Sequence, residues 1–415
     1  MTIHVVGAGL AGLAAAVALA QAGHDVEVSE AAAIAGGRCR SYFDAQLGLT
    51  IDNGNHMVLS GNPAVAKYLA MIGAQDRLAG PAKAEFHFVD LGDGRRWTIR
   101  PNRGVLPWWI LRRTRGVPGA SLSDYLALAA LLRPAPGRRI DQVIACKGPV
   151  WDRLIQPLLL AALNVAPERG AADLAGRVMR ETLLKGAAAY APRIPQPSLA
   201  AAFVDPAVDD LARRGGSLRL QRRLLRLATE GARVAGLEFS DGAVELGPDD
   251  AVVLAAPPWV ATQLLPQLTA PDAFEAIVNG HFRTPSPADA PRVLGVLGGL
   301  AEWIFCFPDR ISVTVSGANH LIQQPREVLA ARLWADVAAA LELPAEMPPW
   351  QVVKEKRATF EATVEQQRRR PAARTGLVNL VLAGDWTDTG LPGTIEGALR
   401  SGFRAAEILQ GEDRR

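Results

Sequence analysis

Two glycine-rich stretches, one near each end of the chain, hold the residue types best suited to chemistry. Val5-Val6-Gly7-Ala8-Gly9-Leu10-Ala11-Gly12 follows a short apolar run and opens a helical pattern. In that spacing Gly7 allows a tight turn, Gly9 lets the backbone approach a diphosphate, and Gly12 permits close helix–strand packing. Leu10 and Ala11 fall in the first helical turn, whose unpaired N–H groups and partial positive charge favour phosphate. Glu30 ends the next strand, about 20 residues on, where a carboxylate can accept ribose hydroxyls. Strand, glycines and acid stand in register, so a dinucleotide site explains them better than an Ala/Gly-rich helix start with a surface glutamate.

Three more constellations belong with this loop. Gly36-Gly37-Arg38-x-x-Ser41 combines close backbone passage with a guanidinium able to neutralise a diphosphate. Asp52-Asn53-Gly54-Asn55-His56 brings a carboxylate and an imidazole into one turn; an Asx-turn beside a solvated histidine is the bland alternative. His56 is the first candidate for a proton donor there, with Asp52 as its orienter or alternate. Near the C-terminus, Leu382-Ala383-Gly384-Asp385-Trp386 is followed by Leu391-Pro392-Gly393-Thr394-Ile395-Glu396-Gly397. Gly384 allows a close main-chain approach, and Asp385 can accept hydrogen bonds from hydroxyls. A helix starting at about Thr394 would aim its positive end at the same place.

The elements that must position these residues follow from periodicity. Ile3–Val6 and Asp25–Ser29 read as strands around a helix that Gly23 stops, a compact βαβ opening. Residues 85–99 form a hairpin turning at Asp93-Gly94, and a second hairpin turns at Asp241-Gly242. Trp151–Asn164, Ala171–Lys185 and the amphipathic Arg326–Leu341 are predicted helices; Leu294–Phe307 and Ile311–Ser316 are predicted strands. Ala251–Ala255 and Leu380–Ala383 are short buried strands, the latter followed by a helix with Ile395, Leu399, Gly402, Ala406 and Leu409 on one face. The expected architecture is α/β, with a discontinuous Rossmann-like domain over 1–80, 205–265 and 370–415. A mixed α+β substrate domain over 81–204 and 266–369 is inserted into it.

A chain of 415 residues with 49% hydrophobic content supports more than one domain. The net charge of +3 comes without a basic run interleaved with aromatics, so a nucleic-acid partner is not expected. Cys39, Cys146 and Cys306 are isolated, which fits a reducing compartment and encodes neither a disulfide framework nor a zinc site. Residues 8–22 are apolar, but the strand before them and the glycine spacing explain the run better than a signal peptide does. No stretch of eighteen uninterrupted apolar residues occurs, so no transmembrane helix is expected. Arg112-Arg113-Thr114-Arg115 and Arg368-Arg369-Arg370 read as solvated loops, or as groups leaning on anionic lipid.

Together the motifs resemble those of the amine-oxidase and phytoene-desaturase-like FAD superfamily. Within it the chain is most similar to the squalene-associated FAD enzymes, the hydroxysqualene dehydroxylases of bacterial hopanoid biosynthesis. The most specific pieces are Asp52-Asn53-Gly54-x-His56, Gln156-Pro157 through Asn164, and Ala383-Gly384-Asp385-Trp386 through Pro392. Asn55 and Gly393 stand where glutamine and alanine are usual. The resemblance implies FAD held by Gly7, Gly9, Leu10, Ala11, Gly12, Glu30, Gly36, Gly37, Arg38, Asn53, Gly54, Leu224, Gly384, Asp385, Gly393, Thr394 and Ile395. It implies hydride transfer from reduced flavin to an allylic alcohol, hydroxysqualene, giving squalene. The flavin N1–C2 edge would meet the last helix, whose dipole favours the reduced anion.

A Leu-, Trp- and Ala-rich tunnel from residues 106–132 and 151–184 would suit the hydrocarbon, although an ordinary helical core has the same composition. Trp108-Trp109 beside the 112–115 arginines would mark a mouth on a membrane. The expected place is the cytoplasm, peripheral on the inner face of the cytoplasmic membrane. The electron donor is not encoded in any motif. Redox direction rests on the resemblance alone, so a phytoene-type desaturase is the first alternative and an amine oxidase the second. A non-catalytic FAD- or lipid-binding protein is the third, and an NAD dehydrogenase would leave Gly384-Asp385 without a role.

Overall fold

In the computed structural model, residues 1–112 and 114–411 are described. Arg113 of the first arginine cluster therefore lies outside the described residues. Five parallel strands carry the glycine-rich loops, in the order Ser217–Arg219, Asp25–Ser29, Thr2–Val6, Ala251–Leu254 and Leu380–Leu382. Ala251–Leu254 is buried at every position, as a parallel strand covered on both faces requires. The Leu10–Gln21 helix is apolar nearly all round and packs against the Ile395–Leu409 helix. Their contact is close because Gly402 has no side chain: a Cβ there would lie 2.2 Å from the Ala11 carbonyl oxygen. Residues 199–204 also pack into this core, through Leu199, Ala202, Phe203 and Val204.

A second, seven-stranded mixed sheet stands opposite. Its order is Trp350–Phe360, Phe274–Phe282, Ile311–Val315, Trp303–Cys306, Val293–Leu297, Phe86–Asp90 and Arg96–Ile99. Strand alternation sorts its two faces. Ala276, Val278, Ile304, Val313 and Val315 pack with Leu329 and Leu333 of the Arg326–Leu341 helix. Ile277, Asn279, Trp303, Phe305 and Thr314 face a cavity instead. The stretch expected as one strand over 294–307 is two, because Gly298, at φ +76°, turns the chain between them. The predicted 151–164 helix opens with a π-turn over Trp151–Ile155 and closes at Asn164, which adopts φ +52°. Short helical segments within 108–185 roof the cavity.

Candidate active site

One cavity of about 1390 Å³ runs between the two sheets. It exceeds the roughly 300–1,000 Å³ of a site for one drug-sized ligand, which suits a cofactor and a substrate together. Its first end is built by backbone. Gly7 sits at φ +108°, and a Cβ there would press to 2.7 Å from the Ala255 carbonyl oxygen. A Cβ on Gly12 would fall 1.9 Å from the Gly7 carbonyl oxygen. Gly9, by contrast, would meet nothing within 4 Å and lines the cavity with Leu10 and Ala11. It caps the helix without any side-chain bond, so the first-turn N–H groups have no side-chain partner there. This bare, positive helix end suits a diphosphate.

Glu30 stands where the sequence places it. Its carboxylate accepts from the backbone N–H of Ala8 and of Ala32, both at 2.8 Å, which aligns it on the cavity rim. Gly36 and Gly37 have positive φ and pass over the first loop: Gly36 N–H donates to the Ala8 carbonyl at 2.8 Å. Leu224 joins the lining beside Arg222, which sequence reasoning missed. Arg222 is buried, donates to Asp241 at 3.0 Å and stacks on Phe239 at 4.0 Å. No spacing marks it, because its partners come from the meander of residues 224–245.

The N- and C-terminal motifs meet directly. Arg38 donates to Asp385 at 2.6 Å and to the Ala358 carbonyl. Burial works against its charge, but the Asp385 carboxylate outweighs that and holds the guanidinium above its ordinary range. Gly384 has a role the sequence did not reveal: a Cβ there would lie 2.3 Å from Trp386 Nε1, so the indole occupies the vacated space. That N–H donates to the Ala256 carbonyl at 3.1 Å, clamping the Gly-Asp loop. Gly393 is similarly close to Asp385 and Thr359. Thr394 caps the last helix, accepting from Gly397 N–H at 3.1 Å, and Thr394 and Ile395 line the cavity. Arg370, expected in a solvated loop, is buried and donates to Asp385 and Thr387 carbonyls, organising the same segment. Burial pushes its pKa down to about 10.

Among the described residues, His56 is the only histidine lining the cavity, with Asn53, Gly54 and Asn55 beside it. Burial, aided by the Arg38 charge, lowers its pKa to about 4, so the imidazole is neutral at neutral pH. Asp52 is not placed to orient it. That carboxylate ends its strand facing inward, accepts from Ser41 at 2.6 Å and Leu199 N–H at 2.9 Å, and is absent from the lining. Burial raises its pKa despite those bonds. It ties the 41–52 hairpin to residues 198–200.

Beyond this polar end the cavity is apolar, walled by Ile110, Leu128, Leu154, Leu158, Met179 and Phe305 among others. The 106–132 and 151–184 stretches thus do line it, as well as filling the core. Trp108 and Trp109 part company: Trp109 is buried in the wall, whereas Trp108 is 63% exposed. Exposed Val105 and Leu126 continue the lining outward to Leu106 and Leu111.

Comparison with known proteins shows the family. Residues 10–410 match the family of flavin containing amine oxidoreductases. The chain belongs to that family. It is 51% identical over 409 residues to a hydroxysqualene dehydroxylase of Rhodopseudomonas palustris, covering 98% of both chains. It is 49% identical over 410 residues to one of Sinorhizobium fredii, covering 99% of this chain and 98% of that one. A 15-cis-phytoene desaturase of Narcissus pseudonarcissus is more distant, 25% identical over 478 residues, 99% of this chain and 79% of its own. Among solved structures, an oxidoreductase from Methanosarcina mazei superposes with a TM-score of 0.72 at 16% identity, covering 98% of this chain and 100% of that one. A flavin is therefore the cofactor, and the fold is the α/β fold of this family. Among the described residues, no helix is long and apolar enough to cross a membrane.

Proposed function

We propose that this chain binds FAD and reduces hydroxysqualene to squalene, exchanging the allylic hydroxyl for hydride and releasing it, with one proton, as water. The observation that carries the reading is the joining of a dinucleotide end and a long apolar arm in one cavity, in a chain half identical to hydroxysqualene dehydroxylases. When bound, the reduced flavin supplies the hydride. The chain does the rest. Gly7, Gly9, Leu10, Ala11 and Gly12 would hold the diphosphate at the helix N-terminus, with Gly36, Gly37 and Arg38 closing over it. Glu30 and Leu224 would take the adenosine end. Asn53, Gly54, Gly384, Asp385, Gly393, Thr394 and Ile395 would frame the flavin end. In this reading the residues fall into a cofactor unit over 1–80, 205–265 and 370–415 and a substrate unit over 81–204 and 266–369.

The apolar walls keep water from a carbon that becomes cationic as the hydroxyl leaves. His56 is the proton donor of this reading, acting in its scarce protonated form. The exposed rim of Val105, Leu106, Trp108, Leu111 and Leu126, beside Arg103, Arg112 and Arg115, is the part that would rest on an anionic bilayer. Flotation with anionic vesicles checks that contact, and the Leu106→Ser/Trp108→Ser double variant should lose it.

The deciding experiment is anaerobic. Photoreduced protein is mixed with hydroxysqualene in detergent, and flavin reoxidation is followed together with extracted products. Stoichiometric squalene with return of the oxidised spectrum is expected. Bleaching of the oxidised protein by squalene or phytoene, with no reoxidation by the alcohol, would replace this reading with a desaturase.

A further inference from the structure

Buried polar atoms in folded proteins almost always find a partner, so each exception asks for a reason. Among the described residues five side-chain atoms are buried without one: Asn55 Oδ1, Trp97 Nε1, His281 Nε2, Trp303 Nε1 and Arg310 Nε. Only Asn55 and Trp303 line the cavity. One is an acceptor and the other a donor.

Both are neighbours of Thr314. The amide nitrogen of Asn55 donates to Thr314 Oγ1 at 3.2 Å and to Asn279 Oδ1 and the Val313 carbonyl at 3.4 Å. Thr314 Oγ1 spends its own hydrogen on Asn279 Oδ1 at 2.8 Å. All three partners therefore present acceptor oxygens, and turning the Asn55 amide over would set oxygen against oxygen. Its carbonyl oxygen is thus fixed on the other side. Trp303 is the cross-strand partner of Thr314, so both side chains rise from the same face of the sheet. The six-membered ring of Trp303 lies toward the Val293–Leu297 strand, where a Cβ on Gly295 would come within 3.3 Å of Cζ3. Its N–H edge is thereby turned to the opposite flank, the flank of Thr314 and Asn55. Packing against Phe88, at 5.8 Å between ring centroids, holds the indole in place.

We infer that Asn55 and Trp303 form a hydroxyl-binding subsite for a long-chain alcohol. Asn55 Oδ1 accepts the hydrogen of the alcohol, and Trp303 Nε1 donates to its oxygen. A hydroxyl offers one donor and two lone pairs, so it satisfies both orphaned atoms at once, and a hydrocarbon satisfies neither. The subsite explains how an apolar cavity could hold a nearly featureless chain in a single register, with the carbinol beside His56. It rests on the preceding reading that the ligand is an allylic alcohol. Neither residue transfers a proton in it; both position.

The test compares the dissociation constants of hydroxysqualene and squalene on the oxidised flavoprotein, read from the flavin absorbance change. The wild type should prefer the alcohol by roughly tenfold or more, the usual worth of a satisfied buried polar group. Trp303→Phe keeps a ring in place and removes the N–H. It should weaken hydroxysqualene about tenfold and leave squalene unchanged. Asn55→Leu should do the same, and Asn55→Gln, which retains a carbonyl, should restore much of the preference. A wild type that does not distinguish the two ligands, or a Trp303→Phe protein that still prefers the alcohol, overturns the subsite. Because binding is read without turnover, the two readings fail separately. Squalene production with a preference indifferent to both variants removes the subsite and keeps the activity. Loss of preference in the variants of a protein that makes no squalene keeps the subsite and removes the activity.

Discussion

The two ends of the cavity are built on different principles. The glycine-rich end depends on single atoms: one Cβ at Gly7, Gly12 or Gly384 would collide with the Ala255 carbonyl, the Gly7 carbonyl or the Trp386 indole. The apolar end depends on the summed shape of many interchangeable side chains, drawn from the seven-stranded sheet and the short helices of residues 108–185. Substitution should therefore act almost as a switch at the first end and as a gradient at the second. The same contrast decides what a sequence can reveal. A position with one tolerated residue leaves a signature, whereas one tolerating six leaves only a composition.

Gly12→Val should break the comparison most sharply. With the added Cβ 1.9 Å from a backbone oxygen, the loop and helix cannot pack as they do, and the purified variant should be colourless or unfolded. A stoichiometric flavin-to-protein absorbance ratio in that variant would contradict the account of the loop. His56 tests the boundary between the ends. As the proposed proton donor it would work in its acid form, and its pKa is about 4, so the protonated fraction falls about tenfold per unit once the pH exceeds 5. The pH profile of kcat/KM should decline with that slope toward neutrality and lose it in His56→Phe. A flat wild-type profile would remove His56 from the role.

Behind the wall, burial pushes the Glu302 acid up to about 7 from 4.5, while its carboxylate accepts from Ser316 N–H at 2.8 Å. The folded state keeps this proton where the unfolded state has lost it. Stability from this group is thus full below about pH 4.5 and lost as pH rises through 7, about 3 kcal/mol in all. Glu302→Gln should flatten the alkaline side of a stability-versus-pH curve, and an unchanged slope would show the carboxyl to be well solvated. Leu158→Ala should have the smallest effect. Removing part of the wall should raise KM about fivefold, near 1 kcal/mol, with flavin content unchanged. Loss of flavin in that variant would show that the two ends are not independent.

Much of the first end was legible from residue type and order. Gly7, Gly9, Gly12, Glu30, Gly36, Gly37 and Arg38 all stand at or beside the loop; Gly7, Gly12, Gly36 and Gly37 answer to backbone geometry there and Glu30 and Arg38 to charge, whereas Gly9 meets no neighbour. Asp52 misled because neighbours in sequence need not be neighbours in a site: it ends a strand facing inward, and His56 follows a turn that faces the cavity. Gly384 lines the cavity, but its space is taken by Trp386 two residues on, a relation no spacing rule encodes. The wall was hardest. Phe274–Phe282 and Trp350–Phe360, its two longest strands, carry Asn, Gly, His, Lys and Glu among their apolar residues, so no clean alternation marks them. Asn55 and Trp303 both come to Thr314 only because the 303–306 and 311–315 strands pair beside residues 53–56.

The Arg38–Asp385 contact has a meaning in time as well as in space. The central strand of the parallel sheet, at 2–6, and the edge strand at 380–382 stand in one sheet although most of the chain lies between them. At about 5–20 residues per second, synthesis of the intervening stretch takes roughly 20–70 seconds. Throughout that interval the 7–12 loop exists without the 384–385 segment that meets Arg38. The Arg38–Asp385 pair is therefore a late contact, formed only after every strand between the two motifs has been made.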